Sequence, residues 1–345
     1  MRWIAGAAIA AAVLAAAPAP ATADTNLASP PAAGDASAVG PPQATAPTTA
    51  FDWHLPRGFP TPAVPADNPM SAAKVALGRR LFSDPTLSIT GQYSCASCHD
   101  PAKAYSDGLA HAVGATGQPL SHSAMPLINV AYNISYGWTK PELQSLEAQM
   151  LQPLLNQHPV ELGLAGREAS VVDLLASEPT YRAAFTESFP TDATPVTFQN
   201  VVKAIAAFER TLIYGNSPFD RYVFNGEHDA LAAPAKRGMQ LFYSSRTGCG
   251  TCHSGFNFAG NWRDSQGDTG KPSFANNGVS DQPMRVPTLR NVAVTAPYMH
   301  DGRFATLDAV LDHYTKVRLL DLTADERADL LAFLDSLTDA AQAGR

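Results

Sequence analysis

The sequence predicts a mainly α-helical fold made of two tandem units, and three observations carry that expectation. Apolar residues recur at helical spacing along most of the chain, and few runs alternate as strands do. A Gly-x-x-Leu-Phe segment occurs twice, at Gly78 to Phe82 and Gly238 to Phe242, each closing a helical pattern. Behind each copy stands a Cys-x-x-Cys-His motif, "CASCH" at 95–99 and "CGTCH" at 249–253, which together use all 4 cysteines.

The amino terminus sets the compartment. Arg2 is followed by an Ala-rich apolar run ending in Ala21-Thr22-Ala23, so residues 1–23 read as a cleaved secretory signal peptide, with an uncleaved anchor as the alternative. No later stretch approaches spanning length, so no membrane span is expected once the signal is removed. Residues 24–50 are rich in Pro and Ala with few bulky side chains, the composition of a disordered linker. The remainder is long enough for two domains of ordinary size, expected at 51–220 and 221–345 with the boundary in "NSPFDRYVFNGEHDALAA". A formal net charge of −7 argues against nucleic acid as a partner.

Two thiols followed at once by a histidine form the attachment pattern of haem c: the sulfurs bind the porphyrin vinyls and the imidazole reaches the iron. The motifs assign Cys95, Cys98 and His99 to one haem and Cys249, Cys252 and His253 to a second. A redox dithiol or half of a zinc site would not need the histidine, which is present both times. Each unit is therefore expected to be a cytochrome c-like haem domain, with haem replacing part of its core. Attachment follows an export signal, so the protein is expected in the periplasm.

Three helical segments stand out by their periodicity. "TPVTFQNVVKAIAAFERTLIYG" places Thr194 as cap, Pro195 as first helical residue and Phe198, Val201, Val202, Ile205, Phe208 and Leu212 on one face, ending at Gly215. "TADERADLLAFLDSL" opens with a Thr323 to Glu326 capping box. In "TLDAVLDHYTK", Leu307, Val310, Leu311 and Tyr314 share a face, and His313 lies about 100° round from the tyrosine.

These residues, with "SAMPLINVAYN", "SLEAQMLQPLLNQHPVELG" and "VPTLRNVAVTAPYMHDGRFATLDAV", resemble the bacterial dihaem cytochrome c peroxidase and MauG superfamily from about residue 70 onward. Within it the chain looks more like MauG and the methanobactin-associated dihaem tryptophan oxidase than like the peroxidases. The resemblance implies an amino-terminal haem open to hydrogen peroxide and a carboxy-terminal haem closed by a second protein ligand. Gln149, Glu161 and Pro153 match the family residues beside the open iron. A glutamate there can take a proton from peroxide and return it to the departing oxygen while the amide orients the peroxide. Burial is expected to raise the Glu161 pKa. The interval from glutamine to glutamate is about two residues longer than the commoner family spacing, which makes His158 a rival distal group. His111 and His122 fall in the stretch where a resting-state ligand can occur, though at neither expected spacing.

At the second haem the interval after His300-Asp301-Gly302 lands on Tyr314, where MauG has a tyrosine ligand and the peroxidases a methionine; Met284 and Met299 are the alternatives. An anionic phenolate favours ferric and higher oxidation states, whereas methionine suits electron uptake from a donor. Trp138 resembles the family tryptophan between the haems, one residue out of register. Asn129, Thr295 and Pro297 match positions that hold an interhaem calcium ion. Trp262, Tyr243 and Tyr298 are candidate surface relays.

The implied function is a periplasmic dihaem c oxidase. It uses hydrogen peroxide to reach a high-valent, bis-Fe(IV) state and oxidises an aromatic residue, expected to be tryptophan, of a secreted or periplasmic partner protein. The alternative is a peroxidase that reduces hydrogen peroxide to water with electrons from a small cytochrome or cupredoxin. A dihaem electron carrier comes third.

Overall fold

The computed structural model describes residues 51–339; the expected signal peptide (1–23) and linker (24–50) lie outside the described residues. Helix α1 (Ala72–Phe82) begins where Ser71 Oγ accepts the Lys74 amide at 3.1 Å. Helices α2 (Leu146–Leu155), α3 (Glu168–Ser177) and α4 (Pro179–Ser188) follow; α1, α2 and α3 pack on α5 (Phe198–Arg210), and α4 packs on α1 and α3. The second half runs through α6 (Pro218–Val223), α7 (Ala233–Phe242), the one-turn α8 (Cys249–Cys252), α9 (Leu307–Val317) and α10 (Ala324–Asp335). Between α8 and α9 lie two small antiparallel pairs. β1 (Arg263–Asp264) faces β2 (Gly267–Asp268), and β3 (Phe274–Ala275) faces β4 (Met284–Arg285) with Phe274 opposite Arg285.

The Gly-x-x-Leu-Phe repeat has a packing cause. Helix α1 crosses α5 at Gly78, where a Cβ would lie 1.9 Å from the Ala204 carbonyl oxygen and 2.9 Å from Phe208 Cβ. Helix α7 crosses α10 in the same way: a Cβ on Gly238 would lie 1.9 Å from the Asp329 carbonyl oxygen and 2.9 Å from Phe333 Cβ. Only glycine lets these backbones touch. The terminal phenylalanine of each segment then packs on the partner helix, Phe82 on Phe208 at 5.2 Å and Phe242 on Phe333 at 5.1 Å between ring centroids. Gly→Ala in an open helix gains up to about 1 kcal/mol. Gly238→Ala is expected instead to lose at least ~1–3 kcal/mol by overpacking, and thermal unfolding followed by circular dichroism checks the sign.

A second repeated device holds the chain that leads away from α5 and α10. Asn129 and Asn291 both adopt the left-handed conformation, at φ 55° and 56°, which asparagine tolerates better than most residues. The Asn129 amide donates to Leu212 O at 2.7 Å and its side-chain oxygen accepts from Tyr214 N at 2.8 Å. The Asn291 amide donates to Leu337 O at 3.0 Å and its side-chain oxygen accepts from Asp339 N at 3.2 Å.

That clamp explains where α5 differs from expectation. The helix ends at Arg210, short of Gly215, because Leu212 and Tyr214 need free backbone groups to meet Asn129. It also starts later than Thr194 and Pro195. Thr197 is the cap, accepting from Asn200 N, while the Asn200 side chain donates to Pro195 O and Asp192 and holds the preceding residues in a turn. Of the predicted apolar face Phe198 is half-buried and the rest is buried, Val201 and Ile205 completely, at roughly 1.5–3 kcal/mol for each fully buried side chain. The capping box of α10 forms as expected, with Thr323 and Glu326 bonded reciprocally.

Buried apolar residues fall into two clusters, one drawn from residues 77–214 and the other from 219–337. A water-excluded ion pair lies at the edge of the second: Arg290 NH1 donates to both Asp220 oxygens at 2.9 and 2.8 Å, and Arg290 Nε donates to Phe256 O at 3.0 Å. The guanidinium also lies over the Phe59 ring, 4.7 Å from its centroid.

Candidate active site

The first motif forms a tight turn in which the amides of Cys98 and His99 both return to Cys95 O, at 3.1 and 3.0 Å. Residues three and four apart then share a face, so both thiols and the imidazole point the same way. His99 Nδ1 meets Tyr105 O at 2.7 Å, which leaves Nε2 as the nitrogen available to a metal. In the second motif the His253 amide returns to Cys249 O at 3.0 Å, and His253 Nδ1 meets Phe258 O at 2.9 Å. Burial lowers the pKa of both histidines, keeping each in the neutral form that binds metal.

The thiols argue against a redox dithiol. Burial pushes Cys95 and Cys249 upward and Cys98 to about 11, opposite to the depressed value of a reactive Cys-x-x-Cys pair. All four cysteines are free, as two thioether attachments require.

Each motif opens on a cavity. The first, about 400 Å³, has Cys95, Cys98 and His99 in one wall and Gln149, Pro153 and Glu161 in another. Pro153 lies inside α2, where it has no N–H for the Gln149 carbonyl. The chain beyond α2 folds back on the end of that helix, Leu162 N donating to Pro153 O at 2.9 Å and Leu164 N to Leu154 O at 2.8 Å. Across it, Ala115 N donates to Glu161 O at 2.6 Å, and Gly114 approaches so closely that a Cβ there would meet Val160 O at 2.0 Å. The two extra residues of this loop are thus absorbed, and Glu161 still reaches the cavity. Burial raises its pKa against a weaker pull from Lys140.

Gln149 Oε1 is buried without a hydrogen-bond partner, an orphaned acceptor facing the same space. His158 also lines the cavity but from an exposed position, whereas His111 is exposed, bonded to Leu120 O and outside the cavity wall.

The second cavity, about 220 Å³, is lined by Cys249, Cys252, His253 and the inner face of α9, including Tyr314. Burial raises the phenol pKa, with Arg318 opposing. His313 turns away as its angular position requires, Nε2 meeting Asn277 O at 2.7 Å. Met284, Met299 and His300 line this cavity too, so it collects both the oxygen donor and the thioethers considered from the sequence. The donor set of each cavity, two thiols and an oriented imidazole with further ligating groups, fits a haem c.

Trp138 lines both cavities. Its ring stacks on His122 at 6.5 Å and meets His300 edge-on at 6.3 Å, and His122 and His300 lie 5.5 Å apart. His122 belongs to the first cavity and His300 to the second, so the three rings form the partition between them. The sequence assigns neither histidine a role, and nothing local to "LSHSAM" or "YMHDG" announces that they meet. Two more residues were missed, Arg285, which also lines both cavities, and Glu209, a buried carboxyl on α5 facing the first, raised to about 8 mainly by burial.

Of the residues matched to calcium, Thr295 and Pro297 line the second cavity, and Asn129 is fully buried, its amide nitrogen donating to Tyr214 O and its oxygen accepting from Tyr214 N. Asn129 is a backbone clamp here. Among the candidate relays, Tyr298 lines the second cavity, Trp262 packs on Phe256 at 5.4 Å, and Tyr243 is exposed against the Cys249 turn.

Residues 72–229 match the di-haem cytochrome c peroxidase family. MauG of Methylorubrum extorquens is 36% identical over 297 residues, covering 79% of this chain and 80% of that protein. The chain belongs to the di-haem cytochrome c peroxidase family. The cytochrome c551 peroxidase of Pseudomonas aeruginosa is 33% identical over 78% of this chain and 80% of its own. A solved MauG-like protein associated with microbial copper homeostasis shares 34% identity and a TM-score of 0.82, over 86% of this chain and 97% of that one. The diheme peroxidase BthA of Burkholderia thailandensis, at 21% identity and a TM-score of 0.63, has the same fold, over 86% of this chain and 94% of its own. As a member of this family the protein is a haem-dependent oxidoreductase of peroxide chemistry. Among the described residues no helix is long and apolar enough to cross a membrane.

Proposed function

We propose that this protein is a periplasmic, MauG-like oxidase with two tandem haem c domains, one on Cys95, Cys98 and His99 and the other on Cys249, Cys252 and His253. It spends the oxidising power of hydrogen peroxide on an aromatic residue, tryptophan by preference, of a secreted partner protein. The observation that carries this reading is Tyr314 on the cavity-facing side of α9, in the second cavity and separated from the first by Trp138. The MauG relative and the MauG-like solved structure support the same choice.

Peroxide enters the first cavity, where haem, when bound, supplies the electrons that break the O–O bond. Gln149 orients the peroxide through its otherwise unpartnered amide oxygen. Glu161 accepts the proton from the nearer oxygen and delivers it to the departing one, which leaves as water. In the second cavity Tyr314 would hold the haem iron, its phenolate favouring the oxidised state, and Arg318 nearby eases loss of the phenolic proton. The Trp138 indole, touching both cavities, carries charge between them. Tyr243, exposed beside the second motif, offers a route to the partner. One calcium ion would be held by Asn129, Thr295 and Pro297, through one side-chain oxygen and backbone carbonyls.

A second reading, peroxide reduction with a small cytochrome or cupredoxin as donor, is favoured by Met284 and Met299 in the same cavity. A Mössbauer spectrum after one equivalent of peroxide separates the two. The oxidase leaves both irons above the ferric state and adds an oxygen-atom mass to a partner tryptophan, while the peroxidase turns over only with reduced donor. Protein inert to peroxide would be an electron carrier. Tyr314→Met is expected to raise the potential of the second iron by at least ~100 mV, within the roughly 0.8 V that axial ligands span, and to abolish its share of the oxidation. Redox titration checks the first effect and Mössbauer spectroscopy the second.

A further inference from the structure

Among the described residues, one cation that lines both cavities has no carboxylate partner. Arg285, at the end of β4, lines both of them. Its backbone amide donates to Trp138 O at 2.8 Å, Nε donates to Gly137 O at 3.2 Å, and one terminal nitrogen reaches the Met125 sulfur at 3.0 Å. Every one of these partners is neutral. The two arginines buried in the fold among the described residues are each matched by a carboxylate, Arg290 by Asp220 and Arg210 by both oxygens of Glu147. Among the described residues Arg285 has no such partner, and burial pulls its pKa down to about 10 with only the Tyr136 phenol opposing.

The Arg285 side chain is half-buried; a guanidinium drawn away from water is unfavourable unless an anion meets it, and its planar fork suits a carboxylate held through two N–H groups. Two of its side-chain nitrogens have protein partners; the third has none and the group opens toward the cavities. Lys140 and Arg318, which also line a cavity each, are exposed, so water offsets their charge. A haem entering these largely apolar spaces brings two carboxylates, its only charged side groups.

We propose that Arg285 is an anion anchor shared by the two cavities, gripping a haem propionate beside Trp138 where the cavities meet. This rests on the reading of the cavities as haem sites. Its consequence is electrostatic as well as positional. A bare guanidinium against Trp138 would oppose positive charge on the indole, and a carboxylate on that guanidinium removes the opposition while holding the porphyrin edge against the ring.

The test is a spectroelectrochemical titration of the holoprotein, preceded by a pyridine haemochrome assay. The assay examines the underlying reading by itself, which fails if wild type carries fewer than two haems per chain. Given two haems, Arg285→Gln is expected to lower the midpoint potential of at least one iron, because a positive charge that favours the reduced state is gone, and Arg285→Lys to bring it back toward wild type. Two unmoved potentials in a folded, two-haem Arg285→Gln protein overturn the proposal. If that variant does not fold, a crystal structure of the wild-type holoprotein decides: a propionate oxygen within hydrogen-bond distance of the guanidinium supports the anchor, and a guanidinium with no carboxylate there overturns it.

Discussion

Replacing Glu161 by Gln is expected to slow the reaction with hydrogen peroxide by about 10²- to 10⁴-fold while both haems stay attached. The substitution keeps volume and polarity and removes only the ability to take a proton and give it back. The loop bonds that hold residue 161 in place use its backbone, through Ala115 N to Glu161 O and Leu162 N to Pro153 O, so the variant should fold. The pH profile sharpens the test. Burial raises the Glu161 pKa, and the base must be ionised to act, so the wild-type rate should climb with pH through a point above the ordinary glutamate range. The Gln variant should lose that limb. Stability runs the other way: with the folded pKa above the unfolded one, the contribution is present at low pH and fades as pH rises through the folded value. Stopped-flow mixing with peroxide measures the rate, and an unchanged rate would pass the proton-transfer role to His158 at the cavity rim.

Asp220→Asn is expected to cost about 3–5 kcal/mol of stability, the range for stripping one partner from a buried ion pair. Arg290 and Asp220 have 1% and 2% of their side chains exposed, so water cannot stand in for the missing charge. Burial already pulls the Arg290 pKa down, and Asp220 is the main group opposing it. The Phe256 carbonyl and the Phe59 and Phe258 rings would remain on the guanidinium, with no bonded anion left and Asp339 as the one remaining carboxylate acting on it. The pair of Arg237 and Asp329 has bonds just as short, yet Arg237 is 59% exposed and solvent screens its charge, so breaking that pair should cost far less. Urea unfolding of the holoprotein followed by circular dichroism measures the difference; a loss below about 1 kcal/mol for Asp220→Asn would mean that the site relaxes to admit water.

Much of this site was legible in the sequence because its chemistry is locally encoded. Cys-x-x-Cys-His fixes three groups on one face of a turn wherever the turn sits, and the face of α9 that carries Tyr314 follows from a 3.6-residue period. The glycines of the repeated segment were visible too, although their reason was not: Gly78 matters because Ala204 O, from a helix far along the chain, passes against it. The bounds of α5 failed for a similar cause. Thr194 and Pro195 are good helix-starting residues, but Asn200 reaches back to Pro195 O and Asn129 claims Leu212 and Tyr214. The ring partition and Arg285 were illegible for the same reason, since a histidine at 122 and another at 300 say nothing of the indole they share.

The paired helix crossings also bear on how such a molecule comes to have two unlike halves. Gly78 and Gly238, Phe82 and Phe242, Asn129 and Asn291 hold matching places, and none of them is a group that decides reactivity. The groups to which we assign reactivity, Gln149 and Glu161 on one side and Tyr314 on the other, stand on loops and helix faces that these crossings leave free. Architecture and chemistry are written in separate letters, so a doubled ancestor could set its copies to different trades without renegotiating the frame that both inherited.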